Sequence, residues 1–170
     1  MRFPQILLSL FLLFSFVVAL PVPAPADALV ERANNKGGGG GKGGNTKTSK
    51  EVKGIDKNIS IQKQEKKDAA RVSKAEGTKN FGKEKARLNK TIDKGVDQRK
   101  KNQANADPKN KQLKDGLNKV QKAQGTEKKQ AQGLNGGKGD KKTLDKLQKE
   151  FSGGINQNEK NKNAAKKGGK

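Results

Sequence analysis

The chain has 170 residues, enough for one ordinary domain, and a formal net charge of +22, because 39 lysine and arginine residues face 17 aspartate and glutamate residues. Histidine, cysteine, tryptophan and tyrosine are absent, which excludes histidine- and cysteine-based catalysis, disulfide frameworks and typical zinc sites. Large apolar side chains are scarce beyond the N-terminus, so the composition predicts a largely disordered chain with short marginal amphipathic α-helices and no β-sheet.

The N-terminal segment, residues 1–19, is typical of a secretory signal peptide. Arg2 precedes an apolar run from Ile6 to Val18, and Val17 and Ala19 suit the minus-three and minus-one positions of a cut after Ala19. A membrane anchor is the alternative, but the run is shorter than the ~20 residues that a spanning helix needs. We therefore expect a secreted, extracellular protein with no transmembrane segment in its mature chain.

A short proline-containing segment, residues 20–32, follows the signal peptide and ends with Glu31 and Arg32. Together with the leader, it resembles the pro-region of small secreted proteins of ascomycete fungi, in which a kexin-type protease cuts after Glu-Arg or Lys-Arg. The resemblance covers about the first 33 residues, and its Arg32 is a single basic residue where the preferred site has two. It implies export from a fungal cell and cleavage after Arg32.

A flexible tether is expected over residues 33–50, which are rich in glycine and lysine. The run from Lys36 to Gly44 has glycine at seven of nine positions, and such a run has no preferred conformation. The remaining residues, 51–170, form a basic low-complexity region in which short helices are expected.

Four groups of apolar residues at helical spacing predict four amphipathic helices in this region. The groups are Val52, Ile55 and Ile59; Leu88, Ile92 and Val96; Leu113, Leu117 and Val120; and Leu144, Leu147, Phe151 and Ile155. Glycines in or beside these groups cost about 1 kcal/mol each in a helix interior, so the isolated helices should be marginal. The sequence predicts a fluctuating helical chain or a loosely packed set of helices.

Weak internal repetition is also present. The segment VSKAEGT at Val72 recurs as VQKAQGT at Val120, with five identities in seven positions. Glycine followed by a branched aliphatic residue and then Asp or Asn occurs at Gly54, Gly95, Gly116, Gly133 and Gly154. The unequal intervals argue against a solenoid, which leaves drift in a low-complexity chain or a set of similar docking elements.

The candidate modification sites are two N-glycosylation sequons, at Asn58 and Asn89. We expect no catalytic, cofactor-binding or metal-binding residues, and therefore no enzyme. Paired carboxyls would need a desolvated cleft to separate their pKa values, and this composition predicts no such cleft.

Pairs of basic residues predict contacts with a polyanion, which a lysine-rich chain attracts through counterion release. The candidate contact residues are Lys66, Lys67, Arg99, Lys100, Lys101, Lys128, Lys129, Lys141 and Lys142. Candidate partners are an anionic wall polysaccharide, nucleic acid or an anionic lipid surface, with a host protein as a further partner. Aromatic residues and arginines are too few for base recognition, so any binding should be non-specific.

These features favour a small secreted, effector-like interaction protein that binds an anionic partner through its lysines. One alternative is a cell-wall or extracellular matrix component, held by charge and by glycans. A second is a precursor of cationic membrane-active peptides, such as the helix from Leu144 to Ile155. A plainer interpretation is that lysine only keeps an unfolded secreted chain soluble.

Overall fold

The computed structural model describes residues 42–168, with side chains described from residue 46 onward. It contains helices α1 (Lys42–Ala75), α2 (Phe81–Asn105), α3 (Lys111–Gly133) and α4 (Asp140–Gly168). Residues 46–168 form a compact four-helix bundle that is 87% helical. The expectation of disorder is therefore wrong for this region, whereas the expected absence of β-sheet is confirmed there.

The helices follow one another around the bundle, so that each packs against two neighbours. α1 packs against α2 and α4, and α3 packs against the same two helices, while the backbones of the diagonal pairs do not approach each other closely within the described residues. α1 begins inside the segment that was expected to be a tether. The predicted signal peptide and pro-region, with their cleavage positions, lie outside the described residues.

Polar side chains fix two of the connections between helices. Asn110 caps α3, because its Oδ1 accepts the backbone N–H of Leu113 at 3.0 Å, and its Nδ2 donates to the carbonyl of Ala164 in α4 at 2.8 Å. Asp140 accepts two backbone N–H groups of the α3–α4 loop, each at 2.7 Å. These side chains satisfy backbone groups that a helix end leaves without partners.

The apolar core is divided into two clusters. One contains Ala69, Val72, Leu88, Ile92, Ala131, Leu134, Leu144, Leu147 and Phe151; the other contains Ile55, Ile59, Leu113, Leu117, Ala164 and Ala165. The four predicted apolar groups supply most of these side chains, so each group marks one helix of the bundle. Between the two clusters, the interior is polar.

Buried positions recur along each helix at alternating intervals of four and three residues, which is typical of helices that pack side by side. We call the line of buried positions on a helix its seam. In α3 the seam runs through Leu113, Leu117, Val120, Gln124, Glu127 and Ala131; in α4 it runs through Asp140, Leu144, Leu147, Phe151, Gly154, Asn158, Asn161 and Ala165. About half of these positions carry glycine, alanine, amide or charged residues. The prediction of disorder failed because it counted only large apolar side chains as core.

The two helical hairpins, α1–α2 and α3–α4, repeat each other in sequence. Residues 54–72 of α1 align with residues 116–134, all but the last in α3, with seven identities in 19 positions. Residues 88–106, all but the last in α2, align with residues 147–165 of α4, again with seven identities in 19. This repeat differs from the shorter one at Val72 and Val120, because it relates whole helices.

Equivalent contacts show that the repeat is structural as well. Gly54 in α1 abuts the side chains of Asn102 and Gln98, and its equivalent Gly116 in α3 abuts those of Asn161 and Gln157. In both hairpins the glutamine Nε2 donates to the asparagine Oδ1, at 2.8 Å in the first and 2.9 Å in the second. The bundle therefore has an internal pseudo-twofold relation between its hairpins.

Four glycines of the Gly–aliphatic–Asp/Asn pattern lie inside the bundle, one in each helix: Gly54, Gly95, Gly116 and Gly154. A Cβ at any of these positions would collide with a polar side chain, and in each case at least one such side chain comes from a neighbouring helix. The fifth, Gly133 at the end of α3, has no such neighbour. The glycines that were expected to weaken the helices instead make room for long amide side chains to cross between them.

Candidate functional site

A band of buried polar side chains crosses the middle of the bundle. It comprises Asn58, Gln62 and Glu65 of α1; Gln98, Arg99 and Asn102 of α2; Gln124 and Glu127 of α3; and Asn158 and Asn161 of α4, none more than 7% exposed. Asn158 donates to the Oε1 of Gln62 at 2.8 Å, and Gln124 donates to a backbone carbonyl of α2 at 3.0 Å. These bonds join the two hairpins to each other.

Arg99 is the only cation in this band, and it interacts with the carboxyl groups of Glu65 and Glu127. Its Nη2 lies 3.6 Å from the Oε2 of Glu65, and the two side chains are 3% and 0% exposed. At that distance the groups form an ion pair without a hydrogen bond, and the buried guanidinium nitrogens have no hydrogen-bond partner in the described chain. Glu127 interacts electrostatically with both groups.

Burial dominates the protonation of this cluster. It raises the pKa of Glu65 to about 8 and the pKa of Glu127 to about 7, against the attraction of Arg99. Burial also lowers the pKa of Arg99, while the two carboxylates raise it. Two carboxyls and one guanidinium favour retention of a proton near neutral pH. Under the pseudo-twofold relation, Asn158 of α4 is the equivalent of Arg99 in α2, so the second hairpin contributes no arginine to the band.

Glu65 and Glu127 are the two carboxylates of this band. No group of three or more histidine, cysteine, aspartate or glutamate residues within the described chain could hold a metal ion. No helix in the same part of the chain has both the length and the apolar character needed to cross a bilayer. The hydrogen bonds of the band join helices, and the exposed lysines of the bundle form the candidate site.

Folding separates the two signs of charge. Residues 46–168 contain 34 lysine and arginine residues and 15 aspartate and glutamate residues. Five of these acids are buried: Glu51, Glu65, Asp68, Glu127 and Asp140. Arg99 is the one buried cation in this range. The surface of the bundle is therefore more positive than its average composition indicates.

Several of the exposed acids are further neutralised by ion pairs. Asp56 pairs with Lys162, Asp93 with Lys128 and Asp115 with Lys111, each at 2.7 Å. The hydrogen bond to Asp115 raises the pKa of Lys111 and lowers the pKa of Asp115. Such exposed pairs contribute little to stability, and each of them neutralises one lysine together with one acid.

The predicted polyanion contacts are placed unequally. Lys67, Lys100, Lys101, Lys129, Lys141 and Lys142 are exposed, and Lys66 and Lys128 are half-buried. Arg99 is only 2% exposed and belongs to the buried band, so it does not belong to the surface. Consecutive residues point about 100° apart around a helix, so a sequence pair does not form a patch by itself.

The outer face of α1 carries a lysine row of which the sequence pairs indicated only Lys67. Its members are Lys53, Lys57, Lys63, Lys67 and Lys74, all of them exposed. They lie on the side of the helix opposite its seam and extend over about 30 Å at the rise of an α-helix. Tracing lysines at helical spacing would have found this row.

A polar cavity of about 320 Å³ opens between α3 and α4. It is lined by Gln112, Asp115, Lys119, Gln157, Lys160 and Asn161, together with the small residues Gly116 and Ala164. The cavity lies beside Gly116, and the side chains of Asn161 and Gln157 occupy the space that a side chain at Gly116 would fill. Its lining carries two lysines and one aspartate.

The two sequons lie in different environments. Asn58 is 0% exposed and forms part of the polar band. Asn89 is half-buried, and its Nδ2 donates to the carbonyl of Lys85 at 3.0 Å. Because an N-glycan is attached through the side-chain nitrogen, a glycan on Asn58 is incompatible with the folded bundle.

Comparison of the chain with known proteins gives no match. No protein-family model matches it. No curated protein and no solved structure is significantly similar to it.

Proposed function

We propose that this protein is a secreted, effector-like basic protein that binds an anionic polymer non-specifically through its surface lysines. The observation that carries the proposal is the separation of charge, with five acids buried and 33 of the 34 cations of residues 46–168 outside the buried core. The export step rests on the leader sequence, which lies outside the described residues.

A rigid bundle favours this binding more than a disordered chain of the same composition would. Lysines on packed helices are already arranged in rows, so less conformational entropy is lost when a partner binds. Each lysine that neutralises an anionic group releases counterions, which gives affinity that falls steeply with salt. The proposed mechanism is therefore electrostatic.

The few aromatic and arginine side chains of the bundle argue against base-specific binding to a nucleic acid. Phe151 is 0% exposed, and Phe81 packs against the apolar cluster, so neither is placed to stack on a base. Arg71 pairs with Asp68 at 3.1 Å, and Arg87 lies 3.8 Å from a glutamate of its own helix. An acidic polysaccharide needs neither stacking nor bidentate arginine.

Retention on an anionic matrix tests the proposal. The purified protein should bind an acidic polysaccharide column at about 50 mM salt and elute as the salt is raised. A neutral polysaccharide column serves as the control. Retention that is no stronger at 50 mM than at 500 mM salt would rule out a charge-driven function.

The two alternatives gain less support from the fold. The matrix role drew on glycans at both sequons, and the burial of Asn58 argues against one of them. The membrane-active peptide would need its apolar face free, but Leu144, Leu147 and Phe151 are each no more than 2% exposed in the bundle. The matrix role would require recovery of the protein in washed cell walls. The peptide role would require vesicle leakage by peptides released from the chain.

A further inference from the structure

By the repeat between the hairpins, the surface of α1 and α2 around Gly54 is equivalent to the cavity between α3 and α4. Gly116 lies at that cavity, and its equivalent is Gly54. Gln98 donates to the backbone carbonyl of Gly54 at 3.3 Å, which brings α2 to this level of α1. We name the surface around this contact the Gly54 groove.

The two equivalent sites differ in charge. Lysine occupies four positions of the Gly54 groove: Lys50, Lys53, Lys57 and Lys101, all exposed. The corresponding residues of the other cavity are Gln112, Asp115, Lys119 and Lys160. Four cations thus stand where the second hairpin has two cations and an acid. The exposed Asp97, one turn before Lys101, is the nearest acid along α2.

The floor of the groove differs as well. In the second hairpin, the Nδ2 of Asn161 donates to the Oδ1 of Asn158 at 3.2 Å. In the first hairpin the equivalent of Asn158 is Arg99, which has donors and no acceptor. The Nδ2 of Asn102 consequently has no hydrogen-bond partner in the described chain, although this side chain is only 4% exposed. This donor lies on the side of the buried Arg99, so the four lysines are the groups that a ligand at the surface would contact.

The spacing of charge along α1 favours an extended ligand. Lys50, Lys53 and Lys57 lie three or four residues apart, which is about 4.5–6 Å along the helix axis. The lysine row on the outer face of α1 continues away from the groove, which suits a ligand that repeats its charge along its length. Carboxylate or sulfate groups on successive sugars provide that pattern.

We infer that the Gly54 groove binds one chain of an acidic polysaccharide through its four lysines. This inference rests on the proposed function and assigns it a place on the molecule. The two claims remain separable, because the bundle has many other surface lysines that could bind a polyanion without the groove.

The test compares two variants of equal net charge. The groove variant is K50Q/K53Q/K57Q/K101Q, and the control variant, K114Q/K122Q/K149Q/K166Q, neutralises four exposed lysines of α3 and α4 that are not among the candidate contacts. Affinity for polygalacturonate and for heparin is measured over a salt series, with helicity checked by circular dichroism. We expect the groove variant to bind at least about tenfold more weakly than the control variant, since each lysine near an anionic surface is worth about fivefold.

A gain-of-binding variant keeps the inference testable if the groove variant is poorly folded. Q112K/D115K gives the α3–α4 cavity the lysines of the first hairpin, and it should strengthen binding to both polysaccharides. Equal weakening in the groove and control variants, or tighter binding of a single-stranded oligonucleotide than of either polysaccharide, would overturn the inference while leaving polyanion binding in place. Failure of the unmodified protein to bind any of these polymers would instead overturn the proposed function.

Discussion

We expect the bundle to lose stability as the pH rises from about 5 to about 8, because its interior holds two carboxyls and one guanidinium. The pKa of Glu65 is about 8 in the folded bundle, against 4.5 for an exposed glutamate. Across this window the folded state holds a proton that the unfolded state has already released, so the free energy of unfolding declines with pH. The stabilisation is complete below about pH 4.5 and is lost as the pH passes the folded value.

The size of the effect follows from the difference in pKa. One unit corresponds to about 1.4 kcal/mol, so Glu65 sets an upper limit of about 5 kcal/mol, most of it lost by pH 7. Glu127 interacts with the same arginine, so the contributions of the two carboxyls to the free energy of unfolding do not add. For a bundle of this size we expect the thermal midpoint to fall by roughly 10 °C between pH 5 and pH 8.

Thermal melts of a Glu65→Gln variant test this reasoning. The variant leaves Arg99 facing one carboxyl, so its midpoint should change less with pH and should exceed that of the unmodified protein at pH 8. Glu159→Gln removes an exposed carboxyl of α4 and serves as the control. The reasoning would be refuted by the same pH dependence in the unmodified protein and E65Q, or by a lower midpoint for E65Q at pH 8.

Three further predictions concern single positions. Gly153→Ala should raise the free energy of unfolding by up to about 1 kcal/mol in urea titrations, because nothing lies within 4 Å of its Cβ position, whereas Gly154→Ala should lower it by about 1–3 kcal/mol. Arg99→Gln should cost about 3–5 kcal/mol at pH 8 and less at pH 5, because it leaves two buried carboxyls without a counterion. Mass spectrometry of the exported, folded protein should find no glycan on Asn58, so any N-glycan present should be on Asn89.

Each of these has a contrary result. Equal effects of alanine at Gly153 and Gly154 would contradict the account of the helical glycines. An Arg99→Gln variant as stable as the original at both pH values would show that the buried ion pair is unimportant. A glycan on Asn58 in a protein that retains its helicity would contradict the placement of this residue in the interior.

The position of each helix was predictable from its apolar residues, but the packing was not. Leu113, Leu117 and Val120 mark α3, yet the seam continues at the same spacing through Gln124 and Glu127. An amide or carboxyl at a seam position looks like a surface residue when only its type is considered. Hydrogen bonds and ion pairs with neighbouring helices allow it to be buried.

The positive charge of the candidate site was predictable from the sequence, but the positions of its residues were predictable only in part. The net charge indicated that lysines dominate the surface. Arg99 was predicted to contact a polyanion and Asn58 to carry a glycan because of their residue types, yet both are buried. Arg99 follows Ile92 by seven residues, and Asn58 follows Ile55 by three, so both lie on the seam. Extending the seam through every residue type would have placed both of them inside and would have revealed the repeat between hairpins.

Amide hydrogen exchange of the purified, ligand-free protein tests most directly whether the chain folds around a polar interior without a partner. We expect the slowest exchange in the middle of all four helices, around Gln62, Gly95, Gln124 and Asn158, with protection lost in a single cooperative step as urea is added. Rapid exchange throughout these segments in the absence of a polyanion would contradict the account.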